Sequence, residues 1–232
     1  MENPLLSFSI VVPVYNEEAI VINSIEQNIS VLDSVNKIYE IIIVNDASRD
    51  SSKLLIENNF SNRSCIKIIH HEINSGFGGA VRTGISNASF QYILCVPVDS
   101  PLTEETFAKF IEASSKADII VSYRIARLGY TPRMRLNSWI YHLLIELIFD
   151  IHFVDFNWIH LYNRKIFDDG NIEITSKGIF MLVEVLIKAT KKGYTFYEIP
   201  VDQSERMTGV ASASKFSVAL KTLMEIVQFC FK

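Results

Sequence analysis

Apolar and polar positions fall in blocks along the first half of this chain. Short apolar runs at 8–12, 40–44, 66–70, 92–96 and 118–122 read as strands buried on both faces. Between them, at 17–32, 50–58, 77–88 and 103–115, the spacing predicts helices. Strands separated by helices imply right-handed βαβ units and a mostly parallel sheet. The second half is predicted as helix 136–149, a strand at 158–162, helix 179–192, a strand at 194–199 and a C-terminal helix from about 215. Thr103 is positioned to cap the fourth helix, with Glu104 and Glu105 in its first turn. With no internal repeat or low-complexity linker, the predicted fold is α/β, a mostly parallel central sheet flanked by helices, in one domain over 1–232.

The runs end in chemically loaded turns. Ile10-Val11-Val12 stops at Pro13 and gives way to Val14-Tyr15-Asn16-Glu17, with Asn16 and Glu17 expected to open a helix. Ile41-Ile42-Ile43-Val44 breaks into Asn45-Asp46-Ala47-Ser48-Arg49-Asp50. Parallel strands that each end in a carboxylate-bearing loop put those loops on the C-terminal edge of the sheet, where open α/β folds bind ligands. Asn74-Ser75-Gly76-Phe77-Gly78-Gly79-Ala80 then opens a helix. Its glycines let backbone N–H groups approach a ligand, and a helix N-terminus favours an anion. It lacks the lysine of a phosphate-binding P-loop, and its place after the third strand argues against a dinucleotide site.

Asp99, between Pro97 and Pro101, follows the fourth strand. Two readings stay open for it: a ligand for a hard divalent cation bridging phosphates, or a helix-capping aspartate ahead of Thr103. Arg206, in the small-residue segment Arg206-Met207-Thr208-Gly209, is either a phosphate clamp or a solvated loop residue. Residues 126–135 form a basic loop marked by Gly129 and Pro132, the composition of an active-site loop.

Composition narrows the setting. Apolar residues make up 49% and charged ones 21%, which excludes a disordered chain, and a net charge of −4 points away from nucleic acid. Cys65, Cys95 and Cys230 have no metal spacing, and Cys95 reads as a small buried thiol. The start Met-Glu-Asn-Pro lacks the pattern of a secretory signal, so a reducing, cytoplasmic setting is expected. Residues 139–149 are strongly apolar but too short to span a bilayer, leaving a core helix or a helix lying on a membrane surface.

Taken in order, these segments resemble the family 2 glycosyltransferases of the GT-A fold, most nearly the polyprenyl-phosphate sugar transferases that include dolichol-phosphate mannose synthases. Pro13 to Glu18 are similar to the family's opening nucleotide-binding turn, and Val44 to Asp50 to its second loop, usually Asp-Asp-Gly-Ser-x-Asp. Asn74 to Arg82 with Gly84 resemble its Asn-x-Gly-x-Gly-x-Ala helix, and Ser122-Tyr123-Arg124 stands where a Gly-Ser-Arg triplet is usual. Asp155 with Leu161-Tyr162-Asn163-Arg164 resembles the segment near the acceptor site. Glu198-Ile199-Pro200-Val201, then Arg206, Gly209, Ser214 and Lys215, resemble the terminal motif.

The resemblance implies a nucleotide-binding half at about 1–100 and an acceptor half at about 101–232. It implies nucleotide contacts from Pro13, Tyr15, Glu17, Asp46, Gly76, Gly79 and Val98, and Mg²⁺ or Mn²⁺ on Asp99. Asp99, Asp155, Arg124 and Arg206 would carry the transfer of a sugar, with inversion, from a nucleoside diphosphate to a lipid phosphate. Asp155 would be the base if the acceptor were instead a saccharide hydroxyl. Three features depart, one of them the terminal Arg-to-Ser spacing, stretched over Gly209-Val210-Ala211-Ser212-Ala213-Ser214-Lys215 so that either Ser212 or Ser214 stands for the family's serine. Pro97 replaces the first carboxylate of the family's Asp-x-Asp, so metal binding is expected to be weak, and a catalytically weak nucleotide-sugar-binding protein is the rival reading. Asn157-Trp158 stands where Ser/Thr-Gly is usual, which reshapes the acceptor pocket. Helix 136–149 with Arg127, Arg133 and Arg135 is expected to rest on the cytoplasmic membrane face or to meet a membrane partner protein.

Overall fold

The computed structural model describes residues 6–35, 37–126, 130–202 and 216–231. The apolar runs become strands β1 (Ser7–Val14), β2 (Ile38–Asn45), β3 (Ile66–His70), β4 (Tyr92–Cys95), β5 (Ile119–Arg124), β6 (His160–Asn163) and β7 (Phe196–Val201). The helices are α1 (Val21–Ser34), α2 (Ser52–Phe60), α3 (Gly76–Ser86), α4 (Glu104–Ala113), α5 (Pro132–Phe149), α6 (Met181–Lys191) and α7 (Phe216–Cys230). One seven-stranded sheet has the order β3-β2-β1-β4-β6-β5-β7. All its ladders are parallel except the two made by β6, which runs antiparallel to β4 and β5.

Successive residues of a strand face opposite sides of a sheet, and here both sides are covered. Ile10, Val12, Ile41, Ile43 and Leu94 pack with α1, α2 and α4. Val11, Ile42, Val44, Ile93 and Cys95 pack with α3, α6 and the inward residues Ile145 of α5 and Ile226 of α7. Burial on both sides is why the strands read as unbroken apolar runs. Burial also pushes the Cys95 thiol up to about 12, an inert group as expected.

Three boundaries differ from the sequence reading. Pro13 does not end β1: the strand runs to Val14, because β2 still pairs there (Pro13 opposite Val44) while β4 pairs only as far as Val11. Asn16 and Glu17 do not open α1. They sit in a turn in which Ile20 and Val21 N–H both donate to the Glu17 carbonyl. The basic loop ends at Thr131, whose hydroxyl accepts from Met134 N–H with Pro132 in the first turn of α5. That Thr-Pro pair is an ordinary N-cap and N1 signature. Thr103 caps α4 as expected, accepting from Thr106 N–H.

Candidate functional site

β2, β1 and β4 lie side by side and parallel, so the segments after them share one edge of the sheet. Tyr15 and Glu17 follow β1, Asp46 to Asp50 follow β2, and Val98 and Asp99 follow β4. The first two segments are stitched together by backbone-to-side-chain bonds. Ser48 Oγ accepts from Asn16 N–H (3.0 Å), Ser52 Oγ from Glu17 N–H (2.9 Å) and Asp50 Oδ2 from Glu18 N–H (3.0 Å). In return Asn16 Oδ1 accepts from Arg49 N–H (2.8 Å) and Glu18 Oε2 from Ser51 N–H (2.8 Å). Burial acts to raise the Asp50 carboxyl, but the hydrogen bonds from Ser52 and Glu18 outweigh it and hold the group below its ordinary value. Asn16 and Ala47 both take left-handed backbone at φ 57°, the conformation that glycine adopts at least cost. The glycine usual in this motif therefore has a geometric reason, and Ala47 keeps the shape without it.

Asp46 is 3% exposed and faces the glycine loop. Its Oδ1 accepts from Ser75 N–H and Ser75 Oγ, both at 2.8 Å, and lies 2.7 Å from His71 Nδ1. Its Oδ2 accepts from Gly76 N–H at 2.9 Å, and His71 continues the network to Thr83 Oγ1 at 2.9 Å. The anion that the α3 N-terminus attracts is thus the protein's own carboxylate. The glycines meet protein as well. A Cβ on Gly76 would stand 2.4 Å from the Lys177 carbonyl oxygen, and one on Gly78 2.3 Å from that of Ser176. Gly78 N–H donates to the Lys177 carbonyl at 2.8 Å. At Gly76 and Gly78 the expectation of a ligand-cradling loop is corrected: their amides are engaged by Asp46 and by segment 174–178. A Cβ on Gly79 would meet Ser75 Oγ at 2.5 Å, so its smallness keeps the same turn closed.

Segment 174–178 is fixed by two carboxylates that sequence reasoning missed. Buried Glu184 of α6 accepts from Thr175 N–H and Oγ, from Ser176 N–H and from Lys188 Nζ. Burial works against its charge, but Lys188 and the Ser176 and Thr175 donors hold its pKa below the ordinary value. Glu225 Oε1 of α7 accepts from Lys177 N–H (3.0 Å) and Gly178 N–H (2.7 Å). A signal existed for Glu184, a lone acid inside the apolar run Met181–Ile187.

Across the same edge, β5 ends at Arg124, and the stretch leading into antiparallel β6 holds Asp155. Arg124 Nε donates to Asp155 Oδ2 at 2.8 Å, with the two side chains 6% and 5% exposed. The guanidinium carbon lies 4.7 Å from the Trp158 ring centre and 5.6 Å from that of Tyr130, whose hydroxyl accepts from Nη1 at 3.0 Å. Burial opposes the charge on Arg124, but Asp155 and Tyr130 outweigh it and raise its pKa further. Neighbouring groups brace the pair: Ser122 Oγ donates to the Ile159 carbonyl, and Glu198 of β7 accepts from Val154 N–H at 2.8 Å. Near it, Trp158 Nε1, His160 Nδ1 and Tyr162 Oη are buried with no hydrogen-bond partner among the described residues.

The structure thus gathers Pro13, Tyr15, Glu17, Asp46, Gly76, Gly79, Val98, Asp99, Arg124 and Asp155 along one edge. It does not bring Arg164 there: because β6 runs antiparallel, Arg164 emerges at the opposite edge, beside a cavity of about 470 Å³ that Arg82 and Phe167 also line. Arg206, Gly209, Ser214 and Lys215, with Arg127 of the basic loop, lie outside the described residues. Among the described residues no three His, Cys, Asp or Glu side chains converge as a metal cage. Asp99, after β4, puts a carboxylate on this edge, and Mg²⁺ is commonly held by one or two protein carboxylates together with substrate phosphates.

The sequence model described as Glycosyl transferase family 2 matches residues 9–177. The uncharacterized glycosyltransferase YkcC of Bacillus subtilis (strain 168) is 27% identical over 166 residues, 71% of this chain and 51% of that protein. The chain therefore spans about half the length of this curated relative. Among solved structures, glucosyl-3-phosphoglycerate synthase from Mycobacterium tuberculosis, in complex with Mn²⁺, uridine diphosphate and phosphoglyceric acid, superposes with a TM-score of 0.72. It is 13% identical, over 97% of this chain and 78% of that one. S. aureus TarS 1–349 gives a TM-score of 0.56 at 19% identity, over 87% of this chain and 59% of the other. At such identities the likeness carries the fold alone.

Proposed function

Because the chain belongs to glycosyl transferase family 2, we propose that it moves a sugar, with inversion, from a nucleoside diphosphate to a polyprenyl-phosphate-type lipid acceptor. The observation that carries the choice of acceptor is the Arg124–Asp155 pair. Asp155 was the candidate base for a hydroxyl acceptor, yet its Oδ2 is held by Arg124 and its Oδ1 accepts from Asn157 N–H at 3.1 Å. A carboxylate so engaged is a poor proton acceptor, whereas a phosphate acceptor is already anionic near neutral pH and needs no base.

In this reading Pro13, Tyr15, Glu17 and Val98 line the nucleotide, and Asp46 acts by fixing the loop that begins α3. Asp99 would hold Mg²⁺ or Mn²⁺ together with the diphosphate, and the ion would offset charge on the leaving group. The solved neighbour binds uridine diphosphate with either ion, which makes UDP-sugars the first donors to test. Arg124 lends positive charge to the acceptor side, and Arg206 is proposed as a second cation. The lipid would be met at the cytoplasmic membrane face, near Arg133 and Arg135.

The test is a transfer assay pairing UDP-sugars with either a short-chain polyprenyl phosphate or an oligosaccharide, with Mg²⁺ or Mn²⁺ added. Transfer to the lipid phosphate, abolished by Asp99→Ala in a protein that still melts normally, is the expected result. Transfer only to the oligosaccharide would overturn the acceptor. Donor binding without turnover on any acceptor would favour the weak-binding rival.

A further inference from the structure

Two histidines stand side by side where β3 ends, and their rings go different ways. His70 turns toward α2, 3.3 Å from Glu57. His71 turns inward and its side chain is 17% exposed. Its main chain is tied first, N–H donating to the Asn45 carbonyl at the end of β2 (2.9 Å). The ring then reaches two elements at once. Nδ1 lies 2.7 Å from Asp46 Oδ1 and 2.9 Å from Ser75 Oγ, while Nε2 lies 2.9 Å from Thr83 Oγ1. Thr83 is about two turns into α3, so one side chain joins the loop after β2 to the body of that helix.

Counting donors places the hydrogens. Ser75 N–H, Ser75 Oγ–H and Gly76 N–H already point at the Asp46 carboxylate. A ring nitrogen 2.7 Å from an oxygen of that carboxylate must carry a hydrogen, because two lone pairs so close would repel. In the neutral ring the hydrogen is therefore on Nδ1, and Nε2 accepts from the Thr83 hydroxyl. In the charged ring Nε2 donates to the same oxygen, so the link survives either way. What the ring holds lies behind the sugar-transfer edge. Asp46 N–H donates to the Val14 carbonyl (2.9 Å), just before Tyr15. The loop that Asp46 opens turns left-handed at Ala47 and bonds to Asn16 through Ser48 and Arg49. A shift of Asp46 is thus passed to Tyr15 and Glu17.

We propose that His71 is a positioning residue for the donor nucleotide. Through Nδ1 it holds the Asp46 carboxylate, and through Nε2 it locks that carboxylate to α3, so that the loop after β2 keeps the shape in which it meets Asn16 and its neighbours. This rests on the donor reading above and adds a residue that acts through Asp46. The Asp46 side chain is buried, so water does not replace a donor that is lost.

Calorimetry with uridine, thymidine and guanosine diphosphates tests it, alongside donor KM and kcat in the transfer assay. His71→Leu should weaken diphosphate binding by about tenfold, the scale of one hydrogen bond to a charged group, and raise donor KM with kcat unchanged. A ring needed only for packing would lower the melting temperature and leave the affinity of the folded protein as it was. His71→Asn puts an amide nitrogen where Nδ1 was, and His71→Gln puts one nearer the place of Nε2. Asparagine should recover most of the affinity and glutamine little. Imidazole ¹⁵N spectra of the unsubstituted protein give a reading without any ligand, and should show hydrogen on Nδ1. Full affinity in His71→Leu, rescue by glutamine but not asparagine, or a ring with its hydrogen on Nε2 alone would each overturn the role of His71. If the unsubstituted protein binds none of the three diphosphates, the donor reading itself fails, and the role of His71 with it.

Discussion

The edge proposed for the nucleotide and the half proposed for the acceptor solve the problem of polar groups near a core in opposite ways. Around Asn16, Asp46 and Ser75, backbone N–H groups are met by short side chains from neighbouring loops, within a frame closed before any ligand arrives. Around Arg124, the polar groups are long side chains buried against aromatics, and Trp158, His160 and Tyr162 each leave an atom unpaired among the described residues. A frame held by backbone bonds is rigid by construction, because each donor is fixed by the chain itself. A side-chain cluster with unpaired atoms is adaptable, which suits the side proposed to take the second substrate.

That contrast can be broken by substitution. The largest effect is expected at the ion pair. Arg124→Met leaves a buried carboxylate uncompensated and should cost about 3–5 kcal/mol of stability, while adding Asp155→Leu should recover most of it. If the double variant is as unstable as the single one in urea unfolding, the pair is not the unit that holds this half together.

Next is acid. Burial lowers His160 to about 4, against an ordinary 6.5, so the folded state carries it neutral. Stability is then complete above pH 6.5 and lost as pH falls toward 4, by about 3 kcal/mol at 1.4 kcal/mol per unit. His160→Leu should flatten that slope whatever it does to stability at pH 7, and an unchanged slope would place the acid sensitivity elsewhere.

On the nucleotide edge the effects are of backbone fit and smaller. Gly78→Ala drives a methyl into the Ser176 carbonyl, and overpacking of this kind costs about 2 kcal/mol. Donor affinity should fall with it, and a variant that binds nucleotide normally would show that segment 174–178 does not frame the site. Smallest is Ala47→Gly, which relieves left-handed strain of about 1–2 kcal/mol against a glycine entropy cost of about 0.5–1. A net gain of about 0.5 kcal/mol is expected, read as a raised melting temperature.

Much of the nucleotide edge was legible in the sequence, because buried parallel strands write themselves as apolar runs and the residues after them land on one side. What Asp46 touches was not: its partners His71, Ser75 and Gly76 come from another strand-helix unit, 25–30 residues on. Arg164 was misplaced for a related reason, since periodicity shows that a strand exists but not which way it runs. The Thr131-Pro132 pair is itself a helix-start signal, set inside a stretch whose composition reads as loop.

The family match stops at residue 177, yet the carboxylate that grips Lys177 and Gly178 comes from Glu225, nearly fifty residues later. Those gripped residues are the ones pressed against Gly76 and Gly78. A fragment cut at the motif boundary would keep every nucleotide-side residue named above and lose the clasp behind the glycine turn. For anyone trimming this protein or fusing it to another chain, α7 belongs to the framework that holds the α3 start and is not a detachable tail.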